Sequence, residues 1–218
     1  MCTKDDIIIL FSGGRDSTLA TVYAAKQFQH LSLVTIKSVH LIELENVYDR
    51  LKELQPIVYD KCSWELYKKN ESIPHSRLKN ITCLPCHAYY VALAMCLCKD
   101  RNIPTLGIGY VGYQKCWEEQ SDYAKESLRN YLRKKNIELF LPVEHIYSKE
   151  EAKKQLSSVG LCKESKEQKC LKAKFNRPLR NDSEKREQID EWISVIDMTY
   201  NILQGKFFTT RIDMIEDL

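Results

Sequence analysis

The fold is decided by one stretch near the amino terminus, Ile7-Ile8-Ile9-Leu10-Phe11-Ser12-Gly13-Gly14-Arg15-Asp16-Ser17-Thr18. Its apolar first half has no helical period and is rich in β-branched residues, which predicts a strand buried on both faces of a parallel sheet. Two glycines follow without a spacer and let the backbone approach a ligand closely. A helix is expected to follow at once, so loop amides and the positive end of a helix dipole converge on one point. This arrangement favours a bound phosphate group.

The same loop resembles the Ser-Gly-Gly-x-Asp-Ser loop of the PP-loop (N-type) ATP pyrophosphatases, which cleave ATP between the α and β phosphates. The resemblance implies a set of nucleotide-binding residues: Ser12, Gly13, Gly14, Arg15, Asp16, Ser17 and Thr18. Of these, Ser12, Asp16 and Ser17 are the candidate catalytic residues, and Asp16 is expected to help place a magnesium ion. The lysine-containing Walker P-loop is absent. The alternative is a tight turn in which Asp16 or Ser17 only caps the helix.

Length and composition describe an ordinary globular chain. The 218 residues are 44% hydrophobic and 29% charged, which suits one domain with an appendage. The net charge of +3 is too balanced to argue for nucleic acid by itself. Neither a membrane-spanning run nor an apolar signal core is visible, so we expect a cytoplasmic protein without a membrane partner. The nine cysteines therefore predict thiols or metal ligands rather than disulfides.

Strand and helix patterns alternate along most of the chain. The expected elements after the first helix are a strand over Leu31–Ile36, a helix over Glu43–Leu54, a strand over Ile57–Tyr59, a surface excursion over Asp60–Asn80, a helix over Ala88–Lys99, a strand over Thr105–Tyr110, a helix over Ser121–Lys135, a strand over Ile137–Val143, a capping box at Ser148 and Glu151, and a helix over Ser183–Leu203. This order predicts a parallel sheet with right-handed crossovers and helices on both faces. The resemblance implies an open, Rossmann-like α/β sandwich of the adenine nucleotide alpha hydrolase (HUP) type with a C-terminal helical extension.

The domain organisation follows from the same pattern. Residues 1–160 are expected to form the nucleotide-binding α/β domain, with residues 161–218 as a cysteine-containing basic loop and a helix packed on it. The basic run from Lys163 to Arg186 is either a solvated surface or a cradle for polyphosphate or RNA. Apolar residues at helical spacing after Ser183 predict a core face or a dimer face.

Gly109 ends the strand that starts at Thr105. In the resembling superfamily, the glycine at this strand end lies close to the nucleotide, which makes Gly109 a further binding candidate. The alternative is close packing of a helix against a residue without a side chain.

Two cysteine pairs supply a second candidate site. Cys83 and Cys86 precede a predicted helix, and Cys162 and Cys170 lie in a late loop. Four thiolates are the ligand inventory of a tetrahedral zinc site, so we expect zinc at Cys83, Cys86, Cys162 and Cys170. A rival interpretation comes from the resembling tRNA thiolases, in which a Cys-x-x-Cys cysteine acts with one from a late loop. Cys83 or Cys86 with Cys170 fits those roles, and inert thiols are the third possibility.

Over roughly Ile7 to Phe175 the chain most resembles the 7-cyano-7-deazaguanine synthase (QueC-like) branch, as a divergent member because only one of its cysteine pairs is late. The resemblance implies ATP-dependent, AMP- and pyrophosphate-forming activation of a small 7-carboxy-7-deazaguanine-like carboxylate, followed by capture by a nucleophile or transfer to another acceptor. The alternatives are sulfur transfer to tRNA and a nucleotide-binding module without turnover. We expect ATP, magnesium and zinc as cofactors, a small-molecule substrate, and a homodimer as one possible assembly. tRNA is less expected, because the chain has little room for an added RNA-binding domain.

Overall fold

The computed structural model of the protein describes residues 5–73, 77–204 and 211–215. Strands and helices alternate along these residues in the order β1 Asp6–Leu10, α1 Arg15–Ala24, β2 His30–Lys37, β3 Leu41–Ile42, α2 Glu45–Val58, β4 Cys62–Lys68, α3 Leu84–Asp100, β5 Thr105–Ile108, α4 Asp122–Lys134, β6 Glu138–Phe140, α5 Lys149–Ser158, β7 Lys169–Cys170, α6 Asp182–Gln204 and β8 Arg211–Ile215. Short 3-10 turns lie at Tyr59–Lys61, Gly112–Gln114, Glu118–Gln120 and Ala173–Phe175.

The central sheet has the strand order β6-β5-β1-β2-β4-β8. Its first five strands are parallel, and β8 joins the edge antiparallel to β4. The chain moves outward from β1 to β2 and β4, then crosses to the other side of β1 to form β5 and β6. The loop after β1 therefore lies where the direction of strand order reverses, which is where ligands bind in open α/β sheets. The expected Rossmann-like α/β fold with a C-terminal helix is confirmed, while the edge strand β8 was not predicted.

β1 separates two hydrophobic cores. Ile8 packs into the core on the side of α3, α4 and α6, whereas Ile7 and Ile9 pack among residues of α1, α2 and α5 on the opposite face. All three isoleucines are fully buried. The prediction of a strand buried on both faces is therefore correct.

The predicted strand over Ile57–Tyr59 is wrong, because α2 continues through Val58 and ends at Tyr59 with a φ of 47°. The third parallel strand is β4, which lies inside the expected surface excursion; residues 74–76 of that excursion fall outside the described residues. β4 escaped detection because Ser63 and Glu65 interrupt its apolar pattern. Glu65 is nevertheless buried, since its carboxylate oxygens accept hydrogen bonds of 2.7 Å from both terminal nitrogens of Arg101.

The C-terminal helix α6 packs against α3 and α4. Its apolar stripe, including Ile189, Trp192 and Ile196, is buried within the chain, so the core interpretation accounts for it. The predicted cap at Ser148 is confirmed, with the Glu151 amide donating to Ser148 Oγ at 3.1 Å. Of the helices described, none combines the length and apolar character needed to cross a membrane.

Candidate functional site

The loop after β1 is shaped by its own hydroxyl groups. Gly13 adopts a φ of 77°, and the Gly14 amide donates to Ser12 Oγ at 3.2 Å. Thr18 is fully buried and donates its hydroxyl to the Gly14 carbonyl at 2.6 Å, so it supports the loop from beneath. Ser17 Oγ accepts a 3.2 Å hydrogen bond from the Ser12 amide. These bonds link the loop to the first turn of α1 and fix its shape.

The first turn of α1 is available to a ligand. Its N-cap is Gly14, and no side chain of the described residues caps it, which counts against the alternative of Asp16 or Ser17 as a simple cap. Amides of the first helical turn have no partner within the helix and favour an anion. Arg15 adds a second group that favours an anion, because its Nε atom is buried and has no hydrogen-bond acceptor in the described part of the chain. A phosphate would satisfy both groups.

Asp16 is held by residues from the turn after β5. Tyr113 donates its hydroxyl to one carboxylate oxygen at 2.5 Å, and Gln114 donates its amide to the other at 3.2 Å. Burial raises the pKa of Asp16, while the Tyr113 hydrogen bond and the Arg15 charge act in the opposite direction. Glu167 is close enough for its charge to raise that pKa further. Two carboxylates beside a phosphate loop suit magnesium, which takes its remaining ligands from phosphate oxygens and water.

Gly109 lies directly against the start of α1. A Cβ atom built there would come within 2.7 Å of the Asp16 carbonyl and the Ser17 amide nitrogen. The close-packing explanation for this glycine is therefore correct. Gly109 also lines the cavity described next, so its small size keeps the helix terminus at the ligand site.

A cavity of about 780 Å³ begins at the Ser12 loop. Five of the predicted loop residues line it, namely Ser12, Gly14, Arg15, Asp16 and Ser17. Its walls include apolar residues at the carboxyl ends of three neighbouring parallel strands, such as Phe11, Ile36 and Ile108. This volume falls in the range of sites that bind nucleotides and drug-sized ligands.

The other end of the cavity contains three cysteines, Cys83, Cys86 and Cys170. The fourth predicted ligand, Cys162, does not join them: its side chain is exposed, and its backbone amide and carbonyl are held by Glu53 and Arg50 of α2. Among the described residues, no three His, Cys, Asp or Glu side chains are grouped to hold a metal. The four-cysteine zinc site therefore does not fit this structure, because the loop that carries Cys162 is anchored elsewhere.

Residues 162–170, which we term the covering segment, connect the two ends of the cavity. The Lys166 amide donates to the Gly13 carbonyl at 3.2 Å, and β7 at its end pairs antiparallel with β3. Of the basic run expected here, Lys166 forms a 2.7 Å ion pair with Glu53, whereas Lys172, just beyond the covering segment, lines the cavity. The segment thus lies over the phosphate loop and places Cys170 in the cavity.

Sequence reasoning missed several residues of the site. His40 lines the cavity beside Cys86, and Tyr113 and Gln114 orient Asp16. Glu119 also lines the cavity, and burial raises its pKa to about 7. None of these belongs to a contiguous motif, and only the topology brings them together.

The comparisons with known proteins agree with this fold. No protein-family model and no curated protein matches the sequence. Among solved structures, the chain is similar to a 4-thiouridine synthetase in an RNA complex with bound ATP, with a TM-score of 0.66, 16% identity, and coverage of 97% of this chain and 55% of that one. It is also similar to an NMN synthetase from Francisella tularensis, with a TM-score of 0.51, 13% identity, and coverage of 93% and 86%.

These similarities define a fold class. At such low identities, what the chain shares with the two synthetases is the Rossmann-like α/β architecture. The chain spans only about half the length of the 4-thiouridine synthetase, with 55% of that protein covered.

Proposed function

We propose that the protein is a PP-loop enzyme that splits ATP into AMP and pyrophosphate in order to activate an oxygen atom of its acceptor. The observation that carries this proposal is the Ser12 loop. Three groups face one cavity at the reversal point of the sheet: a helix terminus that no described side chain caps, a buried Arg15 Nε with no acceptor among the described residues, and the Asp16 carboxylate. Each of these groups suits a polyphosphate with its counterion.

The roles of the loop residues follow from their positions. Ser12, Ser17 and the first-turn amides would bind the leaving pyrophosphate, and Thr18 supports them from beneath. Arg15 would add positive charge where negative charge grows in the transition state. Asp16, oriented by Tyr113 and Gln114, would hold magnesium together with Glu167. When bound there, magnesium supplies charge neutralisation for the leaving group.

We further propose that the activated acceptor is captured by sulfur. The supporting observation is that Cys83, Cys86 and Cys170 share the cavity with the phosphate loop. A sulfur nucleophile would displace AMP from the activated carbon, so that a carbon–sulfur bond replaces the carbon–oxygen bond. The 4-thiouridine synthetase of similar fold was captured with both RNA and ATP, which makes an RNA nucleobase the first acceptor to test.

A small carboxylate of the 7-carboxy-7-deazaguanine type is the second candidate acceptor. The size of the cavity favours it, because about 780 Å³ accommodates a nucleotide with a small molecule. In that reaction ammonia would take the place of sulfur, and the cavity thiols would have no direct chemical role.

One experiment separates these possibilities. The protein is incubated with magnesium and ATP labelled in the α phosphate, either with tRNA and glutathione persulfide or with the deazaguanine carboxylate and ammonium. We expect labelled AMP, and formation of ADP instead would refute the proposal. Cys170→Ser should abolish sulfur incorporation while AMP formation continues. If the carboxylate reaction proceeds equally in wild type and Cys170→Ser, the second acceptor is correct.

A further inference from the structure

Side chains from three separate segments meet at Cys86. Its sulfur lies 3.5 Å from His40 Nε2, and His40 Nδ1 lies 2.8 Å from the hydroxyl oxygen of Ser38. That hydroxyl in turn donates to the Glu71 carboxylate. Cys86 and His40 both line the cavity, whereas Ser38 and Glu71 lie behind the imidazole.

The chemistry of these groups determines which atom donates in each hydrogen bond between Glu71, Ser38 and His40. Burial works against ionisation of Glu71, but bonds from Ser38 and the Val39 amide, together with the Lys69 charge, keep the pKa of Glu71 below its usual value. The carboxylate is therefore an acceptor, and the single hydroxyl proton of Ser38 points to it. Ser38 Oγ can then only accept from the Nδ1–H of His40.

This orientation leaves the other imidazole nitrogen as a base. Burial lowers the pKa of His40, and the charges of Lys172 and Lys69 lower it further, with Glu71 opposing them. The ring is neutral at physiological pH, and with the proton on Nδ1 its Nε2 lone pair faces Cys86. A thiol that donates to such a nitrogen can transfer its proton there.

We propose that Cys86 is the nucleophile that accepts sulfur in this cavity and that His40 is the base that removes its proton, with Ser38 and Glu71 as positioning residues. The geometry is that of a nucleophile, a base and an orienting carboxylate, with a hydroxyl inserted between the last two. The assignment deepens the sulfur-transfer chemistry proposed above and rests on it for the identity of the acceptor.

Cys83 provides the contrast within the same loop. Its sulfur accepts a 3.3 Å hydrogen bond from the Asn176 amide, and among the described residues it has no hydrogen bond to an imidazole. Burial raises the pKa of Cys83 to about 12, with the charges of Glu119, Cys86 and Cys170 adding to the effect. Burial also raises the pKa of Cys86, with the charges of Lys69 and Lys172 opposing this rise and those of Cys170 and Glu71 adding to it. The two thiols therefore differ in their charged neighbours and in access to a base.

Cys170 belongs to the strand that pairs with the segment after His40. β7 pairs with β3 so that Cys170 lies opposite Leu41, and the Leu171 amide donates to the His40 carbonyl at 2.9 Å. The charge of Cys170 also raises the pKa of Cys86. The pairing therefore brings the backbone of a second cysteine next to the segment that carries the base.

The loading step balances with a persulfide as the only co-reactant. The Cys86 proton moves to His40 Nε2, and the thiolate attacks the outer sulfur of R–S–SH. A new sulfur–sulfur bond forms to Cys86 as the original sulfur–sulfur bond breaks, and RS⁻ leaves and takes the proton from His40. The products are Cys86–S–SH and R–SH, and no external oxidant or reductant is consumed.

The test measures thiol reactivity in the full chain without ATP or acceptor. Iodoacetamide labelling and persulfide loading from glutathione persulfide are followed at neutral pH by mass spectrometry that resolves Cys83 from Cys86. We expect Cys86 to react faster than Cys83. His40→Gln should slow Cys86 at least about tenfold, since a general base contributes about a hundredfold or more. His30→Gln, on the exposed histidine of β2, is the matched control and should leave the rate unchanged.

The positioning role has its own test. Ser38→Ala should slow Cys86 labelling, and Ser38→Thr should restore the rate because it keeps the hydroxyl. Equal Cys86 rates in wild type and His40→Gln, or faster labelling of Cys83, would overturn the assignment. Should His40→Gln fail to fold, the Ser38 pair still decides, because equal rates in Ser38→Ala and Ser38→Thr exclude the relay. If the wild-type protein forms no AMP but shows the expected labelling pattern, the proposed function is refuted and the assignment of Cys86 and His40 stands.

Discussion

The two ends of the cavity are built in opposite ways. The phosphate end is a single contiguous loop, and the hydrogen bonds among its own residues join positions no more than five apart. The cysteine end is assembled from distant segments, with His40 and Cys86 separated by 46 positions. The contrast teaches that local sequence can specify a rigid anion site, whereas the thiol site exists only once the sheet has formed.

The largest effect is expected at the phosphate end. Asp16→Asn removes the charge that magnesium needs but keeps the side-chain shape held by Tyr113 and Gln114. We expect AMP formation to fall about 100- to 1,000-fold, in the range seen when one group that stabilises transition-state charge is lost. Asp49→Asn, at an exposed position of α2, is the control. Full activity in the Asp16→Asn variant would show that the phosphate loop is not part of the catalytic site.

A smaller effect is expected at Glu119, where tertiary burial governs the chemistry. Burial raises the pKa of Glu119 from 4.5 to about 7, so the folded state binds this proton more tightly than the unfolded chain. The contribution of Glu119 to the free energy of unfolding therefore falls as the pH rises from about 4.5 to about 7 and is constant above that range. The substitution Glu119→Gln removes this titrating group. The change that it causes in the free energy of unfolding should therefore be about 3 kcal/mol more favourable at pH 8 than at pH 4.

Urea unfolding of wild type and Glu119→Gln at both pH values measures this difference. Glu150→Gln, at an exposed position of α5, is the control. An equal effect of Glu119→Gln at the two pH values would show that the carboxyl group is not buried in solution. The cavity would then be wetter than the structure indicates.

The smallest expected effect is a difference in stability between alanine variants at two glycines. It separates backbone strain from contact with the covering segment. Gly13 and Gly160 both have positive φ, at 77° and 79°. A Cβ atom on Gly13 would clash with the Lys166 carbonyl oxygen, whereas one on Gly160 would meet no atom of the described residues within 4 Å. Alanine at either site carries the backbone cost of roughly 1–2 kcal/mol. Gly13→Ala should lose about 2 kcal/mol more, from overpacking against the covering segment.

Thermal or urea unfolding of the two glycine variants provides the comparison. If both lose the same stability, the covering segment does not rest on the phosphate loop in solution. Nucleotide binding should then be unaffected by the identity of residues 162–170.

The same contrast explains what the sequence could predict. The buried first strand, its loop and the alternating α/β order were readable because each depends on neighbouring residues. β4 was missed because Glu65 looks exposed until Arg101 pairs with it. His40 was overlooked since a single loop histidine carries no pattern, and Ser38 and Glu71 acquire meaning only through it. Cys162 was grouped with Cys170 by proximity in sequence, although Arg50 and Glu53 hold its backbone elsewhere.

The covering segment implies thermodynamic linkage between the two chemistries. The Lys166 amide is bonded to the phosphate loop at Gly13, and a few residues later β7 carries Cys170 into the thiol site. A nucleotide that stabilises the loop in this conformation should therefore also reduce the opening that exposes the cysteines. Reciprocity then requires that a reversible modification of those thiols that needs the open state weaken nucleotide affinity by the same factor by which bound nucleotide disfavours the modification at equilibrium. The protein would in this way load sulfur onto its cysteines most readily before ATP binds.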